Sequence, residues 1–179
     1  MIRTRVGYTG GRNARPTYDD LDGHAEALEV VFDPAEVSYE DLLEVFWASH
    51  DPSRPASSGQ YRKMLFVHSP EQRRLAEASR DAVERSRHIK VRTPIVDAGP
   101  FHPAEDYHQK WMLRQRGGRW FKWLRAVYPD AVDLRDSTAA ARLNGWVAGH
   151  GRGSAEVLSR DLGISHDEAK ALASKLGWH

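Results

Sequence analysis

The spacing of apolar residues in this 179-residue chain changes once, near Pro100, and that change limits the folds open to it. Before Pro100, short runs alternate apolar and polar residues with the two-residue period of strands, separated by helical stretches. After it, only the three-to-four-residue spacing of helices recurs. Ile2, Thr4 and Val6 share one side of an opening strand, with Arg3 and Arg5 on the other. Residues 25–32 give a second strand, stopped by Pro34. Residues 63–68 read as a central strand through Met64, Leu65, Phe66 and Val67. Residues 89–96 make a fourth, which Pro94 assigns to an edge or a bulge.

Helix starts are equally legible. Ser38 with Asp41 three residues on is close to a capping box, ahead of Leu42, Leu43, Val45, Phe46 and Trp47. Ser69-Pro70-Glu71 opens a helix to about Arg87, with proline at its first position. Beyond Pro100 the expected helices are 104–114, 119–127, 136–147, 155–162 and 165–176. The expected class is α+β: a two-layer mixed sheet with packed helices, plus a helical C-terminal extension. The expected division is residues 1–130 and 131–179.

Several functions are excluded or disfavoured by composition. The chain has no cysteine, so it offers no disulfide, thiolate zinc site or cysteine nucleophile. A net charge of +1 gives no global attraction to nucleic acid or anionic membrane. No stretch reaches the roughly 18 apolar residues of a membrane span. The opening residues lack the apolar centre of a signal peptide, and a cytoplasmic protein is expected.

Three segments carry more polar and aromatic chemistry than packing requires: Pro16-Thr17-Tyr18, Gly23-His24-Ala25-Glu26 and Gln60-Tyr61-Arg62. Glu26 shares a strand face with Leu28 and Val30. A carboxyl buried there would hold its proton and could donate it; the other reading is the solvated edge of a frayed strand end. Tyr18 and Tyr61 stand beside turns. Their hydroxyls either orient a substrate oxygen or are the exposed tips of packed rings. Glu105-Asp106-Tyr107-His108 is read as a solvated helix start rather than a metal site, because only Glu105 and His108 share a helical face. Residues 114–125 interleave arginines with Trp120, Phe121 and Trp123. RNA or membrane contact is one reading; an amphipathic helix packing its aromatics inward is the favoured one.

Taken in order, these motifs resemble the peptide methionine sulfoxide reductase A family. The resemblance runs through Arg5-Val6-Gly7-Tyr8-Thr9-Gly10-Gly11, Pro16-Thr17-Tyr18, Gly23-His24-Ala25-Glu26 and Phe32-Asp33-Pro34. It continues through Ser38-Tyr39-Glu40, Phe46-Trp47, His50-Asp51-Pro52, Gln60-Tyr61-Arg62 and Ala104-Glu105-Asp106-Tyr107-His108-Gln109. Order and spacing agree over residues 3–113.

The resemblance implies reduction of methionine-S-sulfoxide, free or in proteins, as part of the repair of oxidative damage. It implies attack on sulfur by a cysteine or selenocysteine, with Glu26 as the acid that protonates the departing oxygen. Tyr18 and Tyr61 would hydrogen-bond that oxygen, and His24 belongs to the same substrate-binding motif. The resemblance implies no metal or prosthetic cofactor, but a thioredoxin-like thiol reductant as partner. Nucleic acid and membrane are not among the expected partners.

Two departures accompany the resemblance. The family's nucleophile lies in a Gly-Cys-Phe-Trp motif, ahead of the point that Met1 matches. The chain is therefore expected to be N-terminally truncated, without the first strand, and the 179 residues inactive as a reductase. A gene start placed too late is the favoured origin, for which a selenocysteine codon read as a stop would be one cause. The alternatives are a remnant, or a protein that binds methionine sulfoxide without turning it over. In addition, Ser57-Ser58-Gly59 stands where the family carries an Asn-Asp-x-Gly-Thr run.

Overall fold

The computed structural model describes residues 2–55, 59–151 and 153–178. Ser57 and Ser58, the departure from the family's loop, lie outside the described residues. The chain divides into two compact units, Val6–Glu105 and Ile2–Arg5 with Asp106–His179.

The class is mixed α+β. In chain order come β1 (Arg3–Thr9), β2 (Ala25–Val31), α1 (Tyr39–Ala48), β3 (Leu65–Val67), α2 (Pro70–Arg87), β4 (Ile95–Asp97) and β5 (His102–Pro103). Helices α3 (Trp111–Arg116), α4 (Arg119–Val127), α5 (Ala131–Asp136), α6 (Thr138–Val147), α7 (Ala155–Leu162) and α8 (His166–Leu176) follow.

The strands form two small sheets, one ordered β2-β1-β5 and the other a parallel pair, β3 and β4. The segment expected to be a central strand therefore has one ladder partner among the described residues. The strand expected over 89–96 shrinks to β4. Val91 donates its amide to the Glu84 carboxylate and Arg92 to the Pro52 carbonyl, so these groups are spent off the ladder. Pro94 has no amide to offer, and its carbonyl accepts from Leu65. β5 is a strand that apolar alternation could not signal, being only two residues long. It pairs antiparallel with β1, Gly7 opposite Pro103 and Tyr8 opposite His102. Gly7 is required there, since a Cβ would overlap the His102 carbonyl and the Phe101 ring.

In the first unit, α1 and α2 pack around Leu43, Trp47, Val67, Ala76 and Val91. Ser38 and Asp41 complete the capping box of α1, with amide-to-side-chain distances of 2.9 and 3.0 Å. Such a cap is worth about 1 kcal/mol. Ser69 caps α2, with Pro70 at its first position.

In the second unit, Leu113, Leu124, Leu134, Leu143, Leu158 and Leu172 lie in one core, where Trp120 is also buried. Phe121 and Trp123 pack against it, so the aromatics of 114–125 turn inward. The helix expected over 104–114 is broken: a 3-10 turn, Asp106–His108, precedes α3, and Lys110 between them has φ +55°. The helix expected over 136–147 starts two residues later, and α5 precedes it. Ser137 separates the two and caps α6 by accepting from the Ala140 amide at 3.1 Å.

Lys110 is 4% exposed. Its Nζ donates to the carbonyls of Thr4 and Arg135 at 2.5 and 2.7 Å, joining the chain's first residues to the end of α5. Burial lowers the ammonium from 10.5 to about 8; Asp136 opposes the shift, and Arg135 and Arg5 add to it. No helix among the described residues is long and apolar enough to cross a membrane.

Candidate functional site

Tyr18, His24, Glu26 and Tyr61 all belong to the first unit. Tyr18 sits on the loop between β1 and β2, where Thr17 and Asp20 close a turn by two backbone hydrogen bonds of 3.1 Å. Tyr61 sits on the segment before β3. Their hydroxyls meet at 3.1 Å although 43 residues separate them in sequence. Both rings are accessible, at 36% and 59% exposure. Two phenols are thus held tip to tip at a surface a ligand can reach.

Glu26 joins them at the start of β2. Its amide donates to the Gln60 carbonyl at 2.9 Å, which ties the Tyr61 segment to the strand. Its Oε1 is sealed from solvent and has no hydrogen-bond partner. A buried acceptor left open in this way is costly, and a ligand proton or hydroxyl would relieve it. The expected sharing of a buried face with Leu28 does not hold. Leu28 is 63% exposed, so the burial at Glu26 is local to its carboxyl oxygen.

Tyr18 feels these neighbours. Its phenol is raised above 10.0 by the hydrogen bond and charge of Tyr61, then by lost solvent, then by the Glu26 charge; a hydrogen bond with the Gln60 side chain opposes the shift. Tyr18 therefore stays a neutral hydrogen-bond donor throughout the neutral range.

His24 is packed rather than presented. It is 3% exposed, its Nε2 lies 2.9 Å from the Asn13 carbonyl, and its ring meets His102 edge-on at 5.3 Å. Its Nδ1 is buried without a partner. Gly11 makes room for it, since a Cβ at Gly11 would overlap the imidazole. Arg62 fixes the surrounding backbone by donating to the carbonyls of Gly23 and Gly59 at 2.5 and 3.2 Å.

Glu105 is the member of this cluster whose place the sequence did not reveal. Its carboxylate accepts the Tyr8 hydroxyl at 2.7 Å and the Tyr18 amide at 3.1 Å. A 3-10 turn does start at Asp106, but Glu105 just before it is turned to Tyr8 and Tyr18 instead of being left to solvent. The available signal was pairing: Tyr8 and Glu105 converge only once β5 lies beside β1. Among the described residues, no three His, Cys, Asp or Glu side chains gather as a metal site would require.

This geometry accompanies a consistent set of relatives. A family model described as peptide methionine sulfoxide reductase matches residues 1–129. The chain is 48% identical over 123 residues to the peptide methionine sulfoxide reductase MsrA of Methanothermobacter thermautotrophicus, covering 63% of this chain and 73% of that protein. It is 40% identical over 154 residues to peptide methionine sulfoxide reductase A5 of Oryza sativa subsp. japonica, covering 83% of this chain and 59% of the rice protein. Among solved structures, Mxr1 from Saccharomyces cerevisiae in reduced form matches with a TM-score of 0.57 and 26% identity, over 64% of this chain and 71% of that one. Methionine sulfoxide reductase A of Corynebacterium diphtheriae matches at 0.52 and 27% identity, over 64% of this chain and 63% of that one. The chain belongs to the peptide methionine sulfoxide reductase family.

Proposed function

We propose that this chain carries the oxygen-handling half of a peptide-methionine (S)-S-oxide reductase site. The observation that supports it best is the pair of hydroxyls of Tyr18 and Tyr61 at 3.1 Å, with the open, buried carboxyl oxygen of Glu26 nearby. Reducing a sulfoxide to a sulfide consumes two electrons and two protons and releases its oxygen as water. The oxygen gains negative charge as the S–O bond breaks. Two neutral phenols are suited to stabilise that charge, and Glu26 to deliver a proton. In the free protein one phenol donates to the other; a sulfoxide oxygen would take both donors.

The electrons must come from a soft nucleophile on sulfur, and none of the 179 residues is a cysteine. The 179-residue chain is therefore assigned sulfoxide binding, and turnover is assigned to a form that also contains the family's cysteine or selenocysteine. A thioredoxin-like thiol would then be the reductant, and no prosthetic group is needed. His24 serves this site from beneath, as a buried support of the loop that carries Gly11 and Asn13.

Calorimetry with N-acetyl-methionine-S-sulfoxide, against N-acetyl-methionine as control, tests the reading. The wild-type chain should prefer the sulfoxide. Tyr18→Phe and Tyr61→Phe should each weaken it roughly three- to tenfold, the worth of one hydrogen bond, and leave the weak sulfide binding unchanged. Equal affinity for sulfoxide and sulfide would remove the assignment. Incubation of the same chain with dithiothreitol and the sulfoxide should give no methionine. Turnover dependent on Glu26 would overturn the division of labour.

A further inference from the structure

We infer that Glu105 positions Tyr18, by clamping the Tyr18 backbone to the buried Tyr8 ring across the β1–β5 pairing. Tyr18 lies on an irregular loop, and a loop by itself gives a hydroxyl no fixed place. Yet its hydroxyl must stay within reach of Tyr61 for the two to act on one atom.

The clamp is built from the strand outward. Tyr8 is 1% exposed, so its ring is an immobile base. β5 lies beside β1, and the Ala104 amide donates to the Val6 carbonyl at 3.0 Å, which brings the next residue, Glu105, over Tyr8. One carboxylate oxygen then takes the Tyr8 hydroxyl at 2.7 Å. The other takes the Tyr18 amide at 3.1 Å, 87 residues away in sequence. Hydrogen bonds to a carboxylate are shorter and stronger than neutral ones. Two of them from one group set direction as well as distance. Glu105 reaches the backbone amide of Tyr18, while the Tyr18 hydroxyl meets Tyr61, so the role assigned to Glu105 is positioning Tyr18. The importance of Tyr18 rests on the sulfoxide reading; the clamp itself does not.

The test is NMR of the 179-residue chain, using the solvent exchange of the Tyr18 amide and the titration of its ring carbon, with Tyr18→Phe to assign the signal. In Glu105→Ala the Tyr18 amide should exchange about tenfold faster or more, the loss of one charge-assisted bond. The Tyr18 titration should fall toward the ordinary phenol value as Tyr61 and Glu26 lose their hold on it. Glu105→Gln, which keeps the reach and one acceptor oxygen, should restore part of both. Tyr8→Phe, which keeps the buried ring and removes the anchor hydroxyl, should shift both in the direction of Glu105→Ala. A folded Glu105→Ala with unchanged Tyr18 exchange and titration overturns the inference. If Glu105→Ala does not fold, unchanged Tyr18 signals in Tyr8→Phe overturn it. Failure of the wild-type chain to bind N-acetyl-methionine-S-sulfoxide would remove the functional reading and leave these Tyr18 measurements to decide the clamp.

Discussion

A single proton is the sharpest probe at the residue scale. Lys110 holds two carbonyls from a buried position, and its ammonium is depressed to about 8. A lysine whose folded value lies below its unfolded one binds fewer protons when folded, so stability rises with pH between those values. Denaturant titrations should thus show the wild-type chain gaining stability between about pH 8 and 10.5, by at most about 3 kcal/mol, relative to Lys110→Met. At pH 7 the variant also loses both hydrogen bonds and should be the less stable protein. A wild-type-minus-variant difference independent of pH would show that Lys110 does not titrate in this window. Glu26 and Tyr18 illustrate what the sequence could reveal of the site. Their types and the turns beside them were legible, but the 3.1 Å meeting of Tyr18 with Tyr61 was not, because it depends on two loops far apart in sequence.

At the element scale, starts were more legible than ends. Ser38, Ser69 and Ser165 each cap a helix with a side-chain oxygen, and that chemistry is local. Ser38→Ala should cost about 1 kcal/mol in urea unfolding, with α1 the first part to lose amide protection. A cost near zero would mean that packing of Leu43 and Trp47 alone holds that turn. The break at Lys110 was not legible, since it is neither glycine nor proline, whereas Ser137 caps α6 with the same local chemistry as Ser38. Lys110 adopts its left-handed conformation while its side chain reaches buried carbonyls, a long-range gain of the kind that overrides propensity. α7 and α8 behaved differently: Gly163 and the Ser165–Glu168 capping box wrote both ends into the sequence.

On the scale of the whole molecule, the described residues bury their apolar side chains in one cluster within each unit. Leu172→Ala, at 0% exposure in the helical core, should cost about 2–5 kcal/mol, and its amide-exchange footprint should concentrate in Asp106–His179. Uniform loss of protection over both units would instead show a single cooperative transition. Basic residues 114–125 pack Trp120, Phe121 and Trp123 against that core, and net charge is only +1. The chain should accordingly leave a heparin column at low salt; strong retention with a steep salt dependence would revive polyanion binding. The sequence by itself determined the α+β class and the helical character of the chain beyond Asp106, and it singled out Tyr18, Glu26 and Tyr61 as candidates. Those follow from periodicity, capping and motif order, which are local or sequential properties. Tertiary structure alone decided the two-sheet split, the burial of His24 and Lys110, and the placement of Glu105 between Tyr8 and Tyr18. Each of these depends on backbone and side-chain partners tens of residues away, and a hydrogen bond across that distance leaves no period in the chain.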